Sequence, residues 1–179
     1  MARITPLESD NVPQQVRKAF EKFASPREGN ISNLYATLAH SPLASEIYLQ
    51  WYPLYEKVQA LVGDRAAALY GYSVSYAYNC QLWSTFFRRL LIQLGDKPEA
   101  LVLNDHEKKL MNFGSAIATH KGCINDYVYG DLARYHNREE MVVLIAFAGQ
   151  TIATSIFSNV TETDLDDCLL DFVPAKFHV

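Results

Sequence analysis

Basic charge is scarce in this chain. Its 179 residues carry 16 Lys and Arg against 20 Asp and Glu, a net charge of -4. Adjacent pairs such as Arg88-Arg89 and Lys108-Lys109 have the pattern of solvated helix faces, and no basic stripe marks a nucleic-acid surface. Cysteine is also sparse. Cys80, Cys123 and Cys168 are odd in number and widely spaced, so they make no disulfide framework, and a reducing cytoplasmic setting is expected. The glycines number 8 and sit mostly where helices should end, so no phosphate-cradling loop is present. His106 and His120 would lie on the order of 20 Å apart along one helix. His136 precedes a helix cap and is expected to be exposed, and His178 lies in the tail. Neither these nor the acids have zinc or iron spacing, so no metal or other cofactor is expected.

The opening MARITPLESD is polar and acidic, unlike an export or transit leader. Met141 to Phe157 is the most apolar run. Gln150, Thr151, Thr154 and Ser155 interrupt it, so it reads as a buried core helix and no membrane partner is expected. Alternation of the strand type is confined to YGYSVSYAY at Tyr70 to Tyr78. The preceding Ala66-Ala67-Ala68 and the want of a pairing partner favour helix there too.

What remains is a succession of helix signals in one domain, residues 1–179. Val12 to Ala24 spaces Val16, Phe20 and Phe23 helically, with Pro26 beyond its end. Ser32 opens a short helix to Ala39. Leu43 to Val62 should be kinked or divided at Pro53. Asp64 heads a helix to Ala77. Asn79 is placed to cap Cys80 to Leu94, with Gly95 as the stop. Asn104 with Glu107, and Asn137 with Glu140, have capping-box spacing. They start helices to Thr119 and Phe157. Asp126 to Tyr135 lies between them, and Asp164 to Leu170 is expected as the last helix. The fold class is therefore all-α, about seven or eight helices in a compact bundle.

Ala68, Tyr72, Tyr76, Cys80, Ser84 and Phe87 recur at helical spacing, with Trp83 beside them. A thiol near a helix start, lined by tyrosine hydroxyls, suits a reactive or polarising cysteine in an aromatic pocket. The same pattern equally fits a buried free cysteine packed among tyrosines.

The segments RITPL and ISNLYATLAHSP, the block SYAYNCQLWSTFFRRLLIQLG and the stretch from LNDHEKKL to TIATSIF together resemble the carboxymuconolactone decarboxylase / alkylhydroperoxidase D-like superfamily. The resemblance runs from about Arg3 to Asp167. It implies an all-α bundle that assembles as a homo-oligomer (dimer, trimer or hexamer). Peroxidase members of that superfamily carry Glu, eleven residues, Cys-x-x-Cys, three residues and His. With Cys80 on the first cysteine, Ala68 falls on the Glu, Trp83 on the second cysteine and Phe87 on the His. Decarboxylase-type members typically keep the His and often an acid at the Trp83 position. Here both are replaced.

The resemblance and the residues then suggest a cofactor-independent enzyme acting on a small oxygenated or aromatic molecule by decarboxylation, isomerisation or cyclisation. Cys80, His40 and Tyr76 are the candidate catalytic residues. Tyr72, Trp83, Phe87 and Arg88 are the candidate substrate-binding residues. A cavity bordered by Tyr72, Tyr76, Cys80 and His40 would support that reading. A thiol-dependent hydroperoxide reductase using Cys80 is one alternative. A non-catalytic binding or assembly protein is another, favoured if Trp83 and Phe87 seal the motif region.

Overall fold

A computed structural model describes residues 2–23 and 31–177. The expected helix end at Ala24 with Pro26 beyond it, the packing of Phe23, and His178 lie outside the described residues. Among those described there are nine α-helices and no strand. They are α1 (Gln14–Phe23), α2 (Asn33–Leu38), α3 (Pro42–Leu49), α4 (Trp51–Val62), α5 (Asp64–Ala77), α6 (Gln81–Gln93), α7 (Asp105–Thr119), α8 (Asp126–Ala133) and α9 (Arg138–Thr161).

Local chemistry explains most boundaries. Asn104 accepts from the Glu107 amide at 2.9 Å while Glu107 reaches back to the Asn104 amide at 3.0 Å, and Asn137 with Glu140 repeats the device. The stretch expected as one helix from Leu43 to Val62 is two, but the break is at Gln50 and not at Pro53. A proline ring collides with the carbonyl four residues earlier. That carbonyl belongs to Leu49, the last residue of α3, and Pro53 itself sits in the first turn of α4, where no amide partner is lost. The segment expected as a final helix over Asp164 to Leu170 is a 3₁₀ helix, Asp167–Phe172.

Helix α5 is the centre. Ala66 to Gly71 and Ser73 to Ser75 are all buried, so it meets neighbours on every side: α4, α6, α7 and α9. Its small residues permit that approach. A Cβ on Gly71 would lie 2.2 Å from the Phe87 ring of α6, and one on Gly114 of α7 would lie 2.5 Å from the Ser73 hydroxyl. Around this axis the core is aromatic. Trp51 contacts Tyr52, Tyr55, Trp83, Phe86, Phe87 and Phe147 at centroid distances of 4.8 to 6.2 Å.

Helix α9 is long and apolar enough to cross a membrane by length and composition, yet one face is core. Leu144, Phe147, Ala148 and Thr151 are buried. The interrupting hydroxyls do not break it, because Thr154, Ser155 and Thr161 each donate to the carbonyl four residues earlier. His136, expected to be exposed, is instead packed, its side chain only 6% exposed. It precedes the Asn137 cap, so Glu140 reaches back to its Nδ1 at 3.2 Å, while its Nε2 lies 2.8 Å from His106 Nε2. This ties the start of α7 to the start of α9.

Candidate functional site

The motif region is sealed. Cys80 occupies the N-cap of α6 in extended backbone, and Asn79, expected as the cap, takes the left-handed conformation (φ 61°) that asparagine tolerates. The shift by one residue turns the sulfur inward. Cys80 is 0% exposed and its Sγ lies 3.3 Å from the Ser158 hydroxyl of α9. Phe87 is 0% exposed and packs on Gly71 of α5, as the shared face of Ala68, Tyr72, Ser84 and Phe87 implies.

The other candidate residues disperse. His40 is exposed, and its Nε2 donates to the Thr5 carbonyl at 3.0 Å, bracing the N-terminal segment. Tyr72 is half-buried, and burial pushes its hydroxyl up to about 12. Its ring lies 5.3 Å from that of Tyr76, which is 37% exposed and covered by the Lys176 ammonium at 3.6 Å. Arg88 is spent on the Phe172 carbonyl at 3.2 Å and on the Glu99 carboxylate. Tyr72, Tyr76, Cys80 and His40 do not line the cavity that Trp83 lines.

Cys80 is not among the residues that line that cavity. The cavity encloses about 330 Å³ between α2, α6 and the 3₁₀ helix Asp167–Phe172. Its apolar wall is Ile31, Leu34, Leu82, Trp83, Phe86 and Leu169. Helix arithmetic explains the split: Leu82, Phe86 and Arg89 fall four and three apart and share one face of α6, while Cys80, Ser84 and Phe87 share another.

The polar groups of the cavity are few and unusual. The Trp83 indole, 1% exposed, has an N–H with no acceptor, and Arg89 Nε is likewise buried without a partner. The same guanidinium lies 5.5 Å over the Phe86 ring and donates from Nη1 to Cys168 Sγ at 3.4 Å. Asp166 accepts from the Asn33 amide at 2.8 Å, which pins the C-terminal segment to the start of α2. Burial raises the Asp166 carboxyl above its ordinary value, against the lowering effect of the Asn33 amide and the Arg89 charge. The lining residues thus supply an aromatic wall and a sulfur, and two of them hold a buried nitrogen without a partner. Arg89, Asp166 and Cys168 were not expected from the sequence. The α6 face shared with Leu82 and Phe86 was a usable signal for Arg89; nothing in the sequence brings Cys168 to it.

Comparison with known proteins bears on the fold. No family model matches the sequence, and no curated protein matches it. Solved structures do. The apo debrominase Bmp8 superposes with a TM-score of 0.78 at 15% identity, covering 96% of this chain and 97% of that one. An uncharacterized peroxidase-related protein from Ralstonia eutropha, described as an alkylhydroperoxidase AhpD core, gives 0.73 at 15% identity over 94% of each chain. A peroxidase-related protein from Silicibacter sp. gives 0.72 at 14% identity over 93% of this chain and 94% of that. The chain has the alkylhydroperoxidase D-like fold. Within that fold Ala68, Trp83 and Phe87, which the resemblance sets at the acid, second-thiol and imidazole positions, are buried, and one cavity is bordered by Trp83.

Proposed function

We propose that this alkylhydroperoxidase D-like protein binds a small, largely apolar molecule carrying a hydrogen-bond acceptor in the cavity beside Trp83, the binding-protein reading that its sealed motif region favours. One observation carries the reading. Trp83 and Arg89 line an apolar cavity, and the buried Nε1 of the one and Nε of the other have no acceptor. Buried donors are almost always satisfied, and an orphan costs about 1–3 kcal/mol. A ligand oxygen would satisfy them, while its planar or aliphatic body would cover Phe86, Leu82 and Leu169. A volume near 330 Å³ is at the small end of ligand pockets. The debrominase of this fold is crystallised with 2,3,4-tribromopyrrole, a flat molecule of similar modest size.

Calorimetric titration with benzylacetone, a ring bearing one carbonyl, tests this. Saturable one-to-one binding is expected. Trp83→Phe keeps the packing and loses one donor, so affinity should fall about five- to tenfold, the worth of roughly one hydrogen bond. Absence of binding, or unchanged affinity in both Trp83→Phe and Arg89→Met, would refute the assignment.

The proposal includes a homo-oligomer. Helix α9 exposes Val142, Ile145, Ile156 and Val160, and no charged residue occurs from Met141 to Thr161. An uncharged apolar stripe of this kind suits contact with a second copy. Light scattering should return a multiple of the chain mass, and Ile156→Lys should return a smaller species. A monomeric wild type would exclude the assembly.

A further inference from the structure

We propose that His106 and His136 form an acid-sensitive clasp between the starts of α7 and α9, which holds while one proton lies between the two imidazoles and opens when both are charged. The pair lies apart from the cavity beside Trp83, none of whose lining residues belongs to α7, α8 or α9. His106 Nε2 and His136 Nε2 are 2.8 Å apart, and the ring centroids are 5.0 Å apart. The centroid separation is close to the nitrogen separation plus the two ring radii, so the nitrogens meet nearly head-on, as a hydrogen bond requires.

A neutral imidazole carries one N–H, and the partner of one nitrogen decides what the other does. Glu140 decides it for His136. The carboxylate Oε2 of Glu140 lies 3.2 Å from His136 Nδ1 and only accepts, so Nδ1 carries the hydrogen. In the neutral ring Nε2 is then a bare acceptor, and His106 Nε2 donates to it. A first added proton still leaves one hydrogen between the rings, whichever ring takes the charge. A second does not. Two N–H groups then face each other across the gap, and two cations stand side by side.

Position adds to the repulsion. His106 is in the first turn of α7 and His136 precedes the Asn137 cap of α9, so both charges would stand at the positive ends of helix dipoles. The neighbouring charged groups have partners of their own. On α7, Asp105 takes the Tyr135 hydroxyl and Lys109, and Glu107 takes Arg65 of α5 and the Asn104 amide. On α8, Asp131 faces Arg134 at 3.7 Å. On α9, Glu140 is shared between His136 and the Asn137 amide. Lys108, Arg138 and Glu139, on the same two helix starts, are exposed. Burial and the His136 charge hold the His106 imidazole below its ordinary value, against the opposing pull of Glu107. A histidine whose folded value lies below the unfolded one, about 6.5, takes up fewer protons in the fold. Its contribution to stability is therefore full above that range and is lost as pH falls through it. Both rings adjoin capping boxes, so opening loosens residues 120–140, with α8 in their middle, and leaves the aromatic core around Trp51 in place.

Hydrogen exchange of the full chain, read by peptide mass spectrometry, tests this. After correction for the intrinsic rate, exchange in residues 126–140 should accelerate about tenfold between about pH 7.5 and about pH 5.5, the worth of one hydrogen bond at the upper end of its range. Peptides over the buried run Ala66 to Gly71 of α5 should not change. His106→Gln keeps an amide donor for His136 but takes up no proton, so the acceleration should disappear in that variant. His120→Gln, at the exposed end of α7, should behave as wild type. Imidazole NMR of the unsubstituted chain needs no variant. His106 and His136 should take up their protons in two separate steps, and the second should coincide with the rise in exchange. Both rings charging together, an acceleration spread over the whole chain, or equal acceleration in wild type and His106→Gln would overturn the clasp.

Discussion

Gly71→Ala is expected to lower the melting temperature by about 6–12 °C, the equivalent of about 3 kcal/mol in a domain of this size. Two effects oppose each other. Alanine is the better helix former by about 1 kcal/mol, which alone would stabilise α5. Against this, the new methyl would lie 2.2, 2.3 and 2.6 Å from three atoms of the Phe87 ring. No carbon tolerates that approach, and the ring cannot retreat. It is boxed by Trp51, Tyr55, Trp83, Phe86 and Phe147. Overpacking therefore wins over propensity. Gly130→Ala supplies the contrast. It lies inside α8 with nothing within 4 Å of its added methyl, so propensity acts unopposed and a gain of about 0.5–1 kcal/mol is expected. Thermal melts of the two variants side by side decide the point. Equal or higher stability of Gly71→Ala would mean that α5 and α6 are not in this contact. Because Phe87 pushes on Trp83, the same variant should also weaken benzylacetone binding.

The fold was legible because its signals are local. The capping boxes at Asn104 and Asn137 fix two helix starts through side chains three residues apart, and the alanine run before Tyr70 decides helix over strand. The sequence reading centred its candidate site on α6, and the cavity proposed as the binding site borders the same helix on another face. Reading from Cys80 selects the face of Ser84 and Phe87, and the structure packs that face against Gly71 of α5. The opposite face depends on a segment more than seventy residues away, Asp166 to Leu169, held to α2 by the Asp166 hydrogen bond. No periodicity reports such a contact. The placement of Pro53 follows the same physics: the ring's clash acts four residues upstream, so α3 ends at Leu49, the break falls at Gln50 and the proline belongs inside the next helix.

Arg65→Met should cost about 3 kcal/mol at neutral pH, and the deficit should shrink as the solution is acidified. Arg65 binds Asp96 through two parallel bonds of 2.9 Å, donates to the Val102 carbonyl at 3.0 Å, and pairs with Glu107. It thereby joins α5 to the loop before α7 and to the capping box that starts α7. Arg65 is 33% exposed and Glu107 8%. Removing one partner of a buried pair costs about 3–5 kcal/mol, and the exposure of Arg65 argues for the lower end. The pH dependence follows from the sign of the Glu107 shift. Burial works to raise its carboxyl, but the hydrogen bonds from Arg65 and the Asn104 amide outweigh it and hold the group below its ordinary value. A depressed carboxyl contributes stability that is present above the unfolded value, about 4.3, and is lost as pH falls through the folded one. In the methionine variant only burial and the cap remain, so Glu107 takes up its proton more readily and neutralises the orphaned charge. Melting temperatures of wild type and variant should therefore lie about 6–12 °C apart at pH 7 and converge below about pH 4.5. A gap that stays constant over that range would show that the loss is one of packing by the arginine stem and not of charge.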